Sequence, residues 1–509
     1  MTEAAGDAEE TERRQAPAGR AGSGGAGTAS SGSRGFILVA NRLPVDRVPD
    51  DPAGNGWRRS PGGLVTAVEP VMRRTGGLWV GWPGASGEVP GVFDVGGLTV
   101  ASVGLSEEEV EDFYEGFANT TLWPLYHDVI VPPQYHRRWW EAYEKVNRRF
   151  AAVTARHAAA GATVWVHDYQ LQLVPALLRR RRPDLRIGFF DHIPFPGYEI
   201  FAQLPWRRQI VQGLLGADLI GFQRVSDATN FLRACRRAAG VVTRPGGIAV
   251  AQPDGREVRV GAFGISIDVV GLERLARSPG VVARAGQIRA ELGHPDLILM
   301  GADRLDYTKG ILHRLKAYEE LLDEGRFGDR RAVFVQVATP SRERVAEYQA
   351  LRKDVEGVVG RINGTHGRLG RPAVHYLHHS YGTEEMAALY RAADVMVVTP
   401  LRDGMNLVAK EYVACRYTDD GALVLSEFSG AADELTAAFL VNPHDIDGLK
   451  DTVVRACAAP RPQLRRRMRA MRRRLAAWDV ARWAEDYLAA LRTAPLRPRE
   501  SWTVAADPS

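Results

Sequence analysis

Two short segments carry the residue types needed to handle a diphosphate. In Asp303-Arg304-Leu305-Asp306-Tyr307-Thr308-Lys309-Gly310, Arg304 and Lys309 lie five apart in a strand-to-helix loop. At that spacing both cations reach one diphosphate and neutralise it as it departs, which is what a nucleotide leaving group requires. The alternative is a pair of solvated surface cations. In Thr399-Pro400-Leu401-Arg402-Asp403-Gly404-Met405-Asn406-Leu407-Val408-Ala409-Lys410-Glu411, a buried strand runs into a glycine turn that exposes backbone N–H groups at a helix start. Asp403 stands before that helix and Glu411 about two turns inside it, so one carboxylate suits sugar hydroxyls and the other a ribose. An N-cap aspartate beside a surface glutamate fits the same residues.

The first half of the chain offers matching features. Ser60-Pro61-Gly62-Gly63-Leu64 opens a helix with two glycines, which either let a phosphate approach the backbone at a helix N-terminus or form an ordinary Pro-Gly turn. His167-Asp168-Tyr169 and Asp191-His192-Ile193-Pro194-Phe195-Pro196 each follow a strand. A histidine beside an aspartate at two successive strand ends is either structural or catalytic. Tyr114 and Trp123 belong either to the core or to an aromatic wall for a sugar. No His-Glu-x-x-His, Cys-x-x-Cys or Walker loop occurs, so metal-independent chemistry is expected.

The elements that position these residues read as two α/β halves. Residues 1–34 hold hardly any large apolar side chain and are expected to be a disordered tail. Order begins at Phe36–Ala40, an apolar run of strand length. Leu64, Val65, Val68, Val71 and Met72 then share one helical face. Strands at Thr163–Val166, Ile187–Phe190 and Leu219–Phe222 alternate with helices at Pro175–Arg181 and Trp206–Leu215. The pattern restarts with strands at Leu297–Gly301, Ala332–Ala338 and Val395–Pro400 and helices at Lys309–Glu324 and Asn406–Ala414. Gly264–Asp268 between the halves reads as a hinge. Alternation of this kind implies mostly parallel sheets, and two doubly wound halves form a cleft at the carboxyl ends of their strands.

Composition bounds the rest. At 509 residues, with 45% apolar and 25% charged residues, the chain is expected to be globular with more than one domain. No apolar run is long enough to span a bilayer and no export signal is visible. Cys235, Cys415 and Cys457 are isolated and suit a reducing cytoplasm. A net charge of +5 over this length points to no nucleic-acid partner. The basic run Arg465–Arg474 alternates with Leu464, Met468, Met471 and Leu475 at helical spacing, as a solvated helix face or an anion-binding one.

Taken together, Asn41-Arg42-Leu43-Pro44, Gly62-Gly63-Leu64, the Tyr114–Trp123 segment, His167–Tyr169, His192–Pro196, Arg304–Gly310 and Arg402–Val408 resemble the trehalose-6-phosphate synthase family of retaining glycosyltransferases, glycosyltransferase family 20. The motifs occur in the family's order from about Phe36 to about Ala490. The resemblance implies an α/β GT-B fold, two Rossmann-like domains facing across a cleft: an acceptor domain at 35–266 and a nucleotide-sugar domain at 267–475. A C-terminal helix at 476–494 is expected to pack back on the first domain, with a tail at 495–509. It further implies glucosyl transfer from a nucleotide diphosphate glucose to glucose 6-phosphate.

By the matching motifs, Arg42 and Arg342, helped by Tyr114, would hold the acceptor phosphate. Asp168 would bind acceptor hydroxyls, and Trp123 would lie against the acceptor ring. Arg304 and Lys309 would take the donor diphosphate with Gly62, Gly63, Gly404, Met405 and the amides of Asn406 and Leu407. Asp403 would hold the donor glucose, Glu411 the ribose, and His192 would lie against the donor glucose. Asp403, Lys309, Arg304 and His192 form the implied catalytic set. The base is expected near His379-Ser380-Tyr381, with Tyr381 on the donor side; UDP, GDP and ADP remain open. No cofactor is implied, because the nucleotide sugar is a substrate. The implied partners are the two substrates and a homo-oligomer, dimer or tetramer, with no membrane. Competing readings are the same fold with another acceptor, a non-catalytic sugar-phosphate sensor, and a nucleotide-sugar epimerase.

Overall fold

Along the strand Arg34–Arg42, Phe36, Leu38 and Ala40 enter one apolar cluster and Ile37 and Val39 another, the two-residue alternation of a strand buried on both faces. The same division recurs at Leu297–Arg304, where Ile298, Met300 and Ala302 face one cluster and Leu297 and Leu299 a second. Each of these strands is central to its own sheet in the computed structural model, which describes residues 32–47, 56–60, 63–87, 89–244, 249–251 and 256–494. Of the tail expected at 1–34, residues 1–31 lie outside the described residues, as do the tail at 495–509 and Pro61 and Gly62, while Arg34 already begins the first strand.

Among the described residues, the first sheet runs in the order Ala249–Ala251, Glu257–Ala262, Leu219–Phe222, Arg186–Phe190, Ala158–His167, Arg34–Arg42, Leu78–Trp82, Leu98–Ser102 and Val92–Val95. Its interior is parallel and only the two outermost pairs are antiparallel. The second sheet is wholly parallel, in the order Val374–Leu377, Ala332–Thr339, Leu297–Arg304, Val395–Val398, Ala422–Ser426 and Phe439–Val441. These are the two doubly wound sheets of the GT-B arrangement.

The helix Val480–Arg492 lies on the first sheet. Asp479 caps it by accepting a hydrogen bond from the Arg482 N–H at 2.9 Å. Trp483 and Tyr487 are fully buried, and the Tyr487 ring stacks on Trp165 with centroids 4.7 Å apart. The Tyr487 hydroxyl reaches Phe189 O at 2.9 Å and Leu219 O at 3.2 Å. Glycines in the strands beneath permit this approach: a Cβ at either Gly188 or Gly221 would come within 2.7 Å of Tyr487.

The segment read as a hinge, Gly264–Asp268, runs from the last strands of the first sheet into the second half, and its middle is buried: Ile265, Ser266 and Ile267 are at most 8% exposed. It is fastened from several elements. Lys410 Nζ donates to Ile265 O at 2.7 Å, Trp478 Nε1 to Gly264 O at 2.7 Å, and Ile265 N to Gln223 Oε1 at 2.9 Å. The helix expected at Lys309–Glu324 begins only at Ile311. Lys309 ends a 3₁₀ turn, Tyr307–Lys309, and Gly310 follows at φ +62°. A Cβ on Gly310 would lie 2.1 Å from Thr399 O, so tertiary contact and glycine's left-handed freedom set the boundary.

The basic run forms the helix Arg461–Ala477, which buries Met468, Met471 and Leu475. Its arginines are not all solvated, since Arg472 pairs with Asp419 at 2.7 Å and Glu273 at 2.8 Å.

Candidate active site

In each sheet the strand order reverses once, and that reversal opens a crevice at the carboxyl ends of the flanking strands. In the first sheet it falls between Arg34–Arg42 and Ala158–His167, whose ends carry Arg42 and Asp168. In the second it falls between Leu297–Arg304 and Val395–Val398, whose following loops carry Lys309 and Asp403.

The two loops of the second sheet are laced together. Leu401 N donates to Thr308 O at 2.7 Å and Thr399 Oγ1 to Gly310 O at 3.2 Å. Lys309 Nζ, largely buried, donates to Asp403 Oδ2 at 2.6 Å, and Asn406 Nδ2 donates to the same oxygen at 3.1 Å. Burial alone would push the Asp403 carboxyl up, but Lys309 outweighs it and holds the group below the usual carboxylate range.

Asn406, at φ +75°, caps the helix Leu407–Cys415 by accepting from Ala409 N at 3.1 Å; Asp403 is not the cap. The earlier amides of that first turn, Leu407 included, have no intrahelical acceptor. Glu411 sits about one turn into this helix rather than two, because the helix starts at Leu407. Its carboxylate accepts from the Tyr390 hydroxyl at 2.9 Å, and burial raises its pKa. Tyr381 lies between Val374–Leu377 and Thr383–Ala392 with its ring 4.2 Å from that of His379. Gly63 is the first residue of the helix Gly63–Thr75.

This loop also meets the first sheet. A Cβ on Gly404 would lie 2.3 Å from His192 O, so only glycine fits this approach. The buried Met405 accepts from Ala431 N and Ser429 Oγ, both at 2.7 Å, which fixes the turn from behind. Arg402 crosses to the first half, with Nε 3.3 Å from Asp128 and Nη2 3.4 Å from Asp227. Arg224 and Asp433 form a second crossing, bidentate at 2.7 and 2.8 Å.

On the opposite side, residues Val110–Leu122 wind as a π-helix, a rare conformation that recurs at functional sites. It starts from a capping box between Ser106 and Glu109. Arg149 and Lys145 draw the Glu109 carboxyl down to about 2 against the upward push of burial. The segment carries Tyr114 and leads into Trp123. Trp123 is 4% exposed, and the Arg342 guanidinium lies over its ring at 3.8 Å, with that of Arg304 at 5.2 Å.

Arg342, at φ +50°, is itself buried. Its Nη2 donates to the Tyr169 hydroxyl at 3.1 Å and its Nη1 to Asp306 at 3.3 Å and to Tyr348. Arg42 is more open; it pairs with Asp46 and lies 4.8 Å over the Trp82 ring, which in turn meets Tyr114 edge-on at 5.4 Å. The two arginines expected on one phosphate come from different halves of the chain, Arg42 over Trp82 and Arg342 over Trp123.

Asp168, at φ +76°, accepts from His192 N at 3.2 Å. Burial pushes its carboxyl up, as it does still more strongly for the neighbouring Asp191, which each ionised partner also disfavours. His167 Nδ1 and His192 Nε2 are 3.0 Å apart. Burial depresses both imidazoles, that of His192 to about 3, so this pair is neutral at physiological pH. His192 therefore contributes neutral hydrogen-bonding groups and no positive charge.

The structure also brings in residues that the motifs did not single out. Asp306, Tyr169, Tyr348 and His127 surround the cations; His127 Nδ1 donates to Trp123 O at 2.8 Å. Of these, Asp306 and Tyr169 lay within recognisable motifs, while no signal marked Tyr348.

Comparison with known proteins gives a consistent result. The sequence model of Glycosyltransferase family 20 matches residues 34–493. A trehalose-6-phosphate synthase of Mycobacterium avium is 58% identical over 474 residues, covering 90% of this chain and 96% of that protein. A UDP-forming α,α-trehalose-phosphate synthase of Burkholderia xenovorans in complex with glucose-6-phosphate superposes with a TM-score of 0.83. It is 35% identical and covers 90% of this chain and 100% of that one. Trehalose-6-phosphate from E. coli bound with UDP-2-fluoro glucose, at 33% identity, also gives 0.83, over 91% and 100% of the two chains. The chain belongs to glycosyltransferase family 20.

Proposed function

We propose that this chain transfers glucose, with retention, from a nucleotide diphosphate glucose to glucose 6-phosphate, making α,α-trehalose 6-phosphate and a nucleoside diphosphate. The observation that carries the reading is the convergence of two cation sets on one cleft. Arg304 and Lys309 follow the strand Leu297–Arg304 and Arg342 follows its neighbour Ala332–Thr339 in the second sheet, and the Arg304 and Arg342 guanidiniums both lie over the Trp123 ring of the first half. A reaction joining a diphosphate donor to a phosphorylated acceptor needs positive charge at both ends.

Arg304 and Lys309 then take the donor diphosphate, together with Gly62, Gly63 and the turn Gly404–Leu407. The pairing of Lys309 with Asp403 keeps that carboxylate ionised for the hydroxyls of the donor glucose. Glu411 takes the ribose, and Tyr381 stands near the base. Arg42, Arg342 and Tyr114 take the acceptor phosphate, Trp123 borders the acceptor ring, and Asp168 accepts from acceptor hydroxyls. UDP is the favoured nucleotide, because the Burkholderia relative is described as UDP-forming and the E. coli protein as bound with UDP-2-fluoro glucose.

Asp403 is engaged by Lys309 and Asn406, so it is placed to orient a sugar rather than to attack it. Retention follows from attack on the face the leaving phosphate departs, that phosphate oxygen taking the acceptor's proton. The protein supplies alignment, which contributes about 7–11 kcal/mol in well-oriented systems, and charge stabilisation of the diphosphate. No cofactor enters this scheme. No described helix is long and apolar enough to cross a membrane, and three free cysteines suit a reducing cytoplasm.

The test is product identity. Incubation with UDP-glucose and glucose 6-phosphate is expected to give a non-reducing disaccharide phosphate with both anomeric carbons α by NMR. A β linkage, or free glucose as the only sugar product, contradicts the proposal.

A further inference from the structure

Asp306 has no part in the roles assigned above, yet cations assigned to both substrates, Arg342 for the acceptor and Arg304 and Lys309 for the donor, are arranged around it. Its side chain is wholly buried. One oxygen, Oδ1, accepts from Thr308 N at 3.0 Å and Thr308 Oγ1 at 2.9 Å, so the residue two positions on sets the plane of the carboxylate. The other, Oδ2, accepts from Arg342 Nη1 at 3.3 Å and the Tyr348 hydroxyl at 3.1 Å, with Arg304 Nη2 4.0 Å away. Its backbone carbonyl accepts from Lys309 N at 3.0 Å.

Both carboxylate oxygens are therefore occupied by protein donors, which leaves Asp306 to act through its neighbours. Burial alone would neutralise such a group, but Arg342, Arg304 and Lys309 draw it down to about 2, so it is a fixed negative charge at every working pH. Arg342 needs an anchor of this kind. Its loop leaves the strand Ala332–Thr339 in a left-handed turn, and its guanidinium bears on the Trp123 ring through a face that imposes no in-plane direction. A carboxylate and the Tyr348 hydroxyl on Nη1, with the Tyr169 hydroxyl on Nη2, supply that direction.

We propose that Asp306 is a positioning residue that sets the in-plane orientation of Arg342 and, through it, the seat of the acceptor phosphate, while its own loop carries Arg304 and Lys309 to the donor diphosphate. This rests on the reading of Arg342 as an acceptor-phosphate ligand.

The test is a cycle of Asp306→Asn, Arg342→Gln and the double variant, with KM for glucose 6-phosphate and for UDP-glucose measured separately from kcat. Asp306→Asn is expected to raise the acceptor KM about tenfold or more and to change the donor KM much less. The double variant is expected to be no worse for the acceptor than Arg342→Gln alone, because the orientation has nothing left to act on. Tyr348→Phe removes the hydroxyl shared by Asp306 and Arg342 and is expected to raise the acceptor KM in the same direction by a smaller factor. It decides the matter if Asp306→Asn does not fold.

If Arg342→Gln raises the acceptor KM but neither Asp306→Asn nor Tyr348→Phe does, or if the effects multiply in the double variant, the positioning role is overturned. If Arg342→Gln itself leaves the acceptor KM unchanged, the assignment of Arg342 to the acceptor is what fails, and the inference falls with it.

Discussion

Lys309 Nζ and Asp403 Oδ2 lie 2.6 Å apart although 94 residues separate them, each at the end of a strand flanking the reversal in the second sheet. The pair keeps an ionised carboxylate in a buried place and sets a cation where a diphosphate would leave. Lys309→Ala is expected to lower kcat by about 10²-fold or more while the chain stays folded, with Tm lowered because the buried Asp403 loses its partner. Acceptor-dependent nucleotide release and a melting curve on the same preparation check this; an unchanged kcat removes Lys309 from the mechanism.

The carboxyl of Asp168 is held above its ordinary range by burial, and only when ionised does it accept on both oxygens with no donor proton of its own. The kcat/KM for glucose 6-phosphate is therefore expected to fall as pH drops through that raised pKa, above the range of an ordinary aspartate. The acceptor phosphate titrates near about pH 6 as well, so the control is Asp168→Asn. This variant should have lower kcat/KM throughout and lose the part of the acid limb due to the protein. The stability sign is the reverse. A raised folded-state pKa means the native state binds the extra proton, so this contribution is present at low pH and lost as pH rises through the raised pKa.

Gly404→Ala places a Cβ 2.3 Å from His192 O, a backbone atom that cannot rotate away. The Asp403 turn or the His192 loop must then shift. The expected result is a fall in kcat/KM of about 10²-fold, the scale of an ångström of misplacement, with an unaltered far-UV circular dichroism spectrum.

Trp483 is fully buried between the first sheet and the helix Val480–Arg492. Trp483→Ala is expected to cost about 3–5 kcal/mol of stability. Tyr487→Phe, which removes hydroxyl bonds to Phe189 O and Leu219 O, is expected to cost about 1–3 kcal/mol. Denaturant midpoints with unchanged slopes would read both.

The sheets were legible in the chain because their strands are short apolar runs such as Phe36–Ala40 and Leu297–Gly301, which must be buried on both faces. Helix starts were less so. Lys309 reads as helical by propensity, and it is the contact of Gly310 with Thr399 that moves the start to Ile311. The π-helix at Val110–Leu122 follows no 3.6-residue pattern and could not be read from periodicity. Motifs located the cations of the site but not what holds them. Asp306 and Arg342 are 36 residues apart, in loops from adjacent strands, and spacing alone does not distinguish a buried anchoring carboxylate from one that meets substrate. Tyr348, whose hydroxyl completes that anchor, sits in the helix Ala346–His366, a segment in which the sequence offered no motif.

The central claim is that a diphosphate donor and a phosphosugar acceptor react in one cleft. Release of nucleoside diphosphate from UDP-, GDP- and ADP-glucose, each with and without glucose 6-phosphate, tests it most directly. The account predicts release that depends strictly on glucose 6-phosphate, with UDP-glucose the best donor. Release at the same rate without the acceptor, or none from any donor with it, would contradict the account.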